Sequence, residues 1–242
     1  MSNVVDSKGI KVVGTKSETN ITVVDEAKDL IVYVKPKAPI AEFEGTFGIP
    51  NLRVLDSLLA HEPYRDKGVE IERFSRKVPD ANGNAQDVEV PKRMLFRDKK
   101  GGKAVFFFSH GAGITGADYP KIPWDMTFAP QKESWTEFSK LSSIFITKEC
   151  TYFRMTVRDH NLYCSFGTEG ATTHHGEMLF QEHVKGALVS NLAWESPRLI
   201  SIVKTIGARE ARLDISNKGL LRMVTETELA TYEYWLRCIK PS

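Results

Sequence analysis

Near the C-terminal end, Ala211, Leu213 and Ile215 alternate with Glu210, Arg212 and Asp214, the period-2 pattern of a strand with one buried face. Asn217-Lys218-Gly219 follows as a turn, in which Gly219 can take the positive φ of a three-residue hairpin loop with a bulge. Leu221 and Met223 resume the inward face, and Tyr232, Tyr234, Leu236 and Cys238 repeat it. Residues 207–238 therefore predict a helix stop followed by a three-strand antiparallel meander. Just ahead of it the period changes to 3.6: Leu199, Val203 and Ile206 form the core stripe of a helix with Ser196 as N-cap, Pro197 in the first turn and Gly207 past the end. Arg198, Ser201 and Thr205 share its other face, with Lys204 at the flank.

Two further helices have the same make-up. One starts at Asn51 and is expected to bury Leu52, Leu55, Leu58 and Leu59, leaving Arg53, Ser57 and Ala60 outside. The other starts at Ser134, whose spacing to Glu137 is that of a capping box; Trp135, Phe138, Leu141 and Phe145 face the core, and Thr136, Ser139, Lys140 and Ser143 face away. Residues 40–58 can be laid over residues 185–203, with Phe47 on Leu192 and Arg53 on Arg198. Each unit then reads strand, turn, helix, more strands, which in the first unit are Gly68–Phe74, Arg93–Arg97 and Ala104–Ser109. Ahead of this repeat, Gly9–Gly14, Asn20–Val24 and Leu30–Lys35 read as strands with no helical stripe.

Composition narrows the possibilities. A hydrophobic fraction of 41% with 26% charged residues describes a globular chain. A net charge of +2 supplies no basic field, so any affinity for nucleic acid must come from where the cations sit. Cys150, Cys164 and Cys238 are odd in number and lie on apolar runs, which reads as reduced core thiols rather than a disulfide framework. With no apolar run of membrane-span length and no secretory h-region, the expectation is an intracellular, cytoplasmic protein. Small hydroxyl side chains with isolated cations on three helix faces suit either plain solvent exposure or a smooth wall past which a phosphate backbone slides.

Motifs for enzyme chemistry are weak. Gly111–Gly116 spells GxGxxG after an apolar strand, yet Pro120, Pro123 and Pro130 oppose the helix that would receive a pyrophosphate. His174 and His175 are adjacent and so point to opposite sides of a strand, without the spacing of a metal site. No enzyme activity, cofactor or metal is expected.

Three stretches resemble the DNA sliding clamps, the processivity factors of DNA polymerases: Phe47-Gly48-Ile49-Pro50-Asn51-Leu52, Pro120-Lys121-Ile122-Pro123-Trp124, and the closing meander with SNKGLLRMVTE and YEYWL. The similarity covers roughly residues 40–242 and is closer to the clamps of T4-type tailed phages, which would place the protein in the host cell cytoplasm. The last stretch also looks like the end of proliferating-cell nuclear antigen and its archaeal relatives. The resemblance implies an α+β chain of two clamp-fold domains, with antiparallel sheets outside and helices on one face. Their bounds would be residues 1–108 and 128–242, joined by a connector at 109–127. It implies a ring, a homotrimer closed head to tail, that encircles double-stranded DNA without reading sequence, tethers a DNA polymerase and is opened by an ATP-dependent clamp loader. Carried over by position, Arg53, Lys140, Arg198 and Lys204 would touch the DNA backbone, with Lys132 and Lys148 beside them. Tyr119, Ile122, Leu236 and Ile239 would form the cleft for partner peptides. A β-rich structural or assembly protein of a virion is the alternative that the meander and the repeat also fit.

Overall fold

The computed structural model describes residues 9–65, 68–79, 85–111, 116–117, 120–147, 150–167, 174–189, 192–207 and 210–239. Its plan is one unit of strands and a helix used twice. In the first unit β1 (Gly9–Gly14), β2 (Thr19–Val24) and β3 (Leu30–Pro36) form an antiparallel meander, and β4 (Gly45–Pro50) returns to pair with β1. Helix α1 (Leu52–Ala60) and a single turn, α2 (Glu62–Arg65), lead into a second meander of β5 (Val69–Pro79), β6 (Ala85–Arg97) and β7 (Lys103–Phe107).

The second unit is preceded by β8 (Met126–Phe128) and α3 (Lys132–Phe145). Then β9 (Tyr152–Arg158), β10 (Asn161–Phe166) and β11 (Gly176–Gln181) form a meander, and β12 (Ala193–Glu195) returns to β9. Helix α4 (Ser196–Ile206) leads into β13 (Ala211–Ser216), β14 (Leu220–Glu226) and β15 (Ala230–Arg237), with β8 paired to the outer side of β13.

The two units are fused through one strand pair. β15 pairs antiparallel with β3, from Ala230 opposite Pro36 to Leu236 opposite Leu30. This joint makes an eight-stranded sheet in the order β4-β1-β2-β3-β15-β14-β13-β8, flanked by a four-stranded sheet β11-β10-β9-β12 and a three-stranded sheet β5-β6-β7. The main core lies between the large and four-stranded sheets and takes Phe138, Phe153, Phe166, Trp194, Leu199 and Leu213 among its buried residues. A second, smaller core gathers Val12, Phe47, Ile49, Met94, Phe96, Phe106 and Phe108 under α1.

The closing meander follows its period: Ala211, Leu213, Ile215, Leu221 and Met223 are buried, and Gly219 turns the chain at φ 85°. The turn is tight, since a Cβ on Gly219 would come within 2.3 Å of Cys238 Sγ. The alternation puts Asp214 on the polar side, yet it is 1% exposed. Cys150 and Cys164 are buried and Cys238 half-buried, all three as free thiols.

Helix starts differ from expectation. α3 begins at Lys132 with Gln131 as N-cap, so Ser134 and Glu137 sit inside it and make no capping box. Lys132 and Glu133 are ordinary helix formers that follow Pro130 and Gln131, and nothing delays the start to Ser134. α4 takes Ser196 into its first turn behind Glu195, and no side-chain cap bond forms; Gly207 closes it at φ 65° with its N–H on the Val203 carbonyl at 3.0 Å. Ile202, rather than Val203, joins Leu199 and Ile206 in the core. On α1, Leu59 is 50% exposed and not buried, and Leu52, Leu55 and Leu58 are half-buried.

Candidate nucleic-acid interface

The polar faces of the helices have a consistent chemistry. Ser57 Oγ donates to the Arg53 carbonyl at 2.8 Å, Thr136 to Lys132 at 3.0 Å, Ser139 to Trp135 at 2.9 Å and Thr205 to Ser201 at 2.9 Å. Ser143 donates to Lys140 at 2.6 Å. Each hydroxyl is turned back onto its own helix one turn earlier, a local bond that short hydroxyl side chains make readily. The faces are left low and smooth, with their donors occupied.

Above these faces stand a few cations. Arg53, Lys132, Lys140 and Lys204 are exposed, and none has an ion-pair partner among the described residues. Lys132 opens α3 at the positive end of the helix dipole, where a cation gains nothing from the helix, whereas Lys204 lies in the last turn of α4, where it does. Lys132 and Lys140 flank a groove of about 770 Å³ between the N-terminal half of α3 and the end of α4, lined also by Gln131, Thr136, Ser139 and Val203. Lys148 lies outside the described residues.

Arg198 differs from the other four. Its guanidinium bonds both Asp25 at the end of β2 and Glu195, one turn back on its own chain. The Asp25 side chain is 4% exposed and that of Arg198 25%. Burial alone would lower the Arg198 pKa; the hydrogen bonds it donates to Asp25 and Glu195 outweigh that and raise the pKa. The other Asp25 oxygen accepts the Asp29 and Leu30 N–H groups at 2.8 and 3.0 Å. Arg198 therefore braces α4 against the β2–β3 turn, and its charge is already answered inside the protein.

The residues expected to form a docking cleft differ in exposure. Leu236 is 1% exposed and belongs to the main core, because the period that carries it inward also buries Leu213 and Met223. Ile239 is half-buried and its N–H is tied to the Ala193 carbonyl at 2.8 Å. Ile122 is half-buried on the connector, and Tyr119 lies outside the described residues, as do positions 112–115 of the GxGxxG run. His174 and His175 are both exposed, ahead of β11.

A cluster on the outer side of the large sheet is one that the sequence pattern did not reveal. Asp214, Arg222 and Trp235 are direct cross-strand neighbours on β13, β14 and β15. Asp214 accepts from Thr127 at 2.7 Å and from Arg222 at 2.8 Å, and Glu233 accepts from Trp235 Nε1 at 3.1 Å. The Arg222 guanidinium lies 4.5 Å from the Trp124 ring centre and 5.3 Å from that of Trp235, a cation held between two aromatic rings. Trp124 thereby pins the connector to the sheet, which is why both faces of β15 are buried there. The signal in the sequence was Asp214 itself, an acid inside an apolar strand that needs a cation from the adjacent strand.

No protein-family model and no curated protein match the sequence. Solved structures do. The chain is similar over 98% of its length to PCNA from Thermococcus kodakaraensis, at 10% identity and a TM-score of 0.61, covering 92% of that chain. It is similar over 97% to A. fulgidus PCNA bound to the C-terminal region of FEN-1, at 12% identity and 0.64, covering 91%. It is also similar over its whole length to the DNA polymerase III subunit beta from Borrelia burgdorferi, at 13% identity and 0.66, and spans 58% of that longer chain. At such low identity these likenesses establish the fold: antiparallel sheets and helices in the arrangement of the sliding clamps.

Proposed function

We propose that this chain is a sliding clamp, a non-enzymatic ring that encircles duplex DNA and tethers a replicative DNA polymerase. The observation that carries the reading is the strand joint between its two units. β3 ends the first meander of one unit and β15 ends the last meander of the other, and they pair. Their counterparts, β11 and β7, each stand at one edge of a smaller sheet, unpaired on the outer side among the described residues. Pairing β7 of one copy with β11 of the next repeats the internal joint head to tail, and a rotation that closes gives a ring. Three copies is the closure we favour, with residues 1–108 and 128–242 as the two domains and 109–127 as the connector.

Arg53, Lys132, Lys140 and Lys204 then supply weak phosphate contacts on smooth helix faces, which hold DNA without reading it. An ATP-driven loader opens the ring, and the connector surface near Ile122 is the place for partner peptides. Kinship with the clamps of T4-type phages, and a host-cytoplasmic setting, belong to the same proposal and rest on the Phe47–Leu52 and Pro120–Trp124 stretches and the closing meander. The test is native mass in solution. Three times the 27.3 kDa of one chain supports the ring, and a monomer that persists at high concentration with DNA and loader absent or present overturns it.

A further inference from the structure

The acid, arginine and aromatic ring that lie across β13, β14 and β15 recur in the first unit. Glu72 on β5 stands directly opposite Arg93 on β6, and Arg93 directly opposite Phe107 on β7, as Asp214, Arg222 and Trp235 do in the second. The registers also agree one residue away, where Ile71, Met94 and Phe106 turn to the smaller core and Leu213, Met223 and Tyr234 to the main one. The contacts repeat with the positions. Arg93 donates to Glu72 at 2.6 Å and Arg222 to Asp214 at 2.8 Å. The Arg93 guanidinium lies 6.0 Å from the Phe107 ring centre, as that of Arg222 lies 5.3 Å from that of Trp235.

One component differs. In the second unit Trp124 lies over the group with its ring centre 5.1 Å from that of Trp235, and Trp235 is 2% exposed. In the first unit no ring among the described residues takes that place, and Phe107 is 55% exposed. Leu95 and Val105, opposite one another on the same side of the sheet, extend the apolar floor beside Phe107. An exposed ring next to a guanidinium with an open face is a place where a second ring can stack. Its surroundings are positive. Glu70 and Glu72 are already answered by Arg97 and Arg93, while Lys92 and Lys103 are exposed. The hydrogen bond from Arg93 first, and then the charges of Arg93, Lys103 and Lys92, hold the Glu72 carboxyl below its ordinary pKa.

We propose that Phe107 and Arg93 form a docking site for a separate protein that presents a tryptophan, with an acidic residue beside it, on an extended segment. The indole stacks on Phe107 and the open face of Arg93 as Trp124 does on Trp235 and Arg222, and the acid faces Lys103. The connector has the same pairing of residues, Trp124 followed by Asp125. The site lies on a different sheet from the one that Trp124 covers. It rests on the internal repeat and not on DNA binding, so either can fail without the other.

The probe is a labelled peptide of residues 120–128, which contains Trp124 and Asp125, and its fluorescence anisotropy is followed as the full chain is added. Saturable binding is expected. Phe107→Ala should weaken it about tenfold, as should Trp124→Ala in the peptide. Phe107→Leu, which removes the ring and keeps an apolar side chain, and Arg93→Lys, which keeps the charge and loses the planar guanidinium, should weaken it in the same direction. Thermal melts check that each variant is folded. No saturable binding at low salt overturns the proposal. So does binding that the Phe107 variants leave unchanged, which would mean that the peptide displaces the connector from the second unit. Loss of binding over the concentration range in which native mass rises overturns it as well, since a second copy of the chain is then the occupant.

Discussion

Replacing Arg198 by alanine should damage the fold far more than the grip on DNA. The substitution leaves Asp25, 4% exposed, without its cation. Removing one partner of a fully buried pair typically costs about 3–5 kcal/mol. Arg198 is a quarter exposed and Asp25 keeps its two backbone N–H bonds, so the expected loss is lower, about 2–3 kcal/mol. For a chain of this length that is a fall in Tm of roughly 5–10 °C. Asp25→Asn should lose a similar amount, and the double variant should lose less than the sum, with a coupling of about 1–2 kcal/mol. Thermal unfolding of the four proteins measures this. A Tm within about 1 °C of the parent for Arg198→Ala, together with weakened DNA retention, would show that Arg198 is a free phosphate contact and that the brace is wrong.

Arg53→Ala, Lys132→Ala, Lys140→Ala and Lys204→Ala should each change stability by no more than about 0.5 kcal/mol. Combined, they should flatten the dependence of log affinity on log salt by up to about 0.9 for each phosphate that the protein no longer neutralises; an unchanged slope would remove these residues from the interface. Trp124→Ala should cost about 2 kcal/mol, because it deletes the ring pair with Trp235 and the cation–π interaction with Arg222, and should speed hydrogen exchange in the connector before the strands; uniform exchange would refute the pin. Burial, with Arg76 nearby adding to it, holds the pKa of His110 below its ordinary 6.5. The unfolded chain therefore takes the proton first: the stability tied to neutral His110 is complete above pH 6.5 and is lost as pH falls from there toward the folded-state value. His110→Phe should shrink the drop in Tm between about pH 7 and pH 5, and an undiminished drop would assign it to other groups.

Much of the fold can be read from periodicity. The N-terminal strands expected at Gly9–Gly14, Asn20–Val24 and Leu30–Lys35 lie at Gly9–Gly14, Thr19–Val24 and Leu30–Pro36, because each is a short run rich in β-branched residues set between turn residues. What periodicity misses depends on partners distant in sequence. Leu59 has the apolar spacing of a buried residue, but burial also needs a neighbouring element on that side of α1, which its own helix cannot specify. Arg198 looks like an isolated cation on a polar face until β2 brings Asp25, far away in the chain, against it. Leu236 reads as an accessible edge residue by its place near the chain end, although the alternation that marks it as strand also points it into the core. The repeat at residues 40–58 and 185–203 is visible in the sequence, while its full extent, with strands on both sides of each helix and the β3–β15 joint, needs the pairing itself.

The central claim is topological, so the most direct measurement compares retention on closed and open DNA. The protein is loaded on nicked circular duplex at moderate salt, and half the sample is then linearised. A ring stays on the circles and runs off the linear molecules within the time of the assay. Equal loss from both forms, or equal retention on both, would contradict encirclement and leave a protein that has the clamp fold without the clamp mechanism.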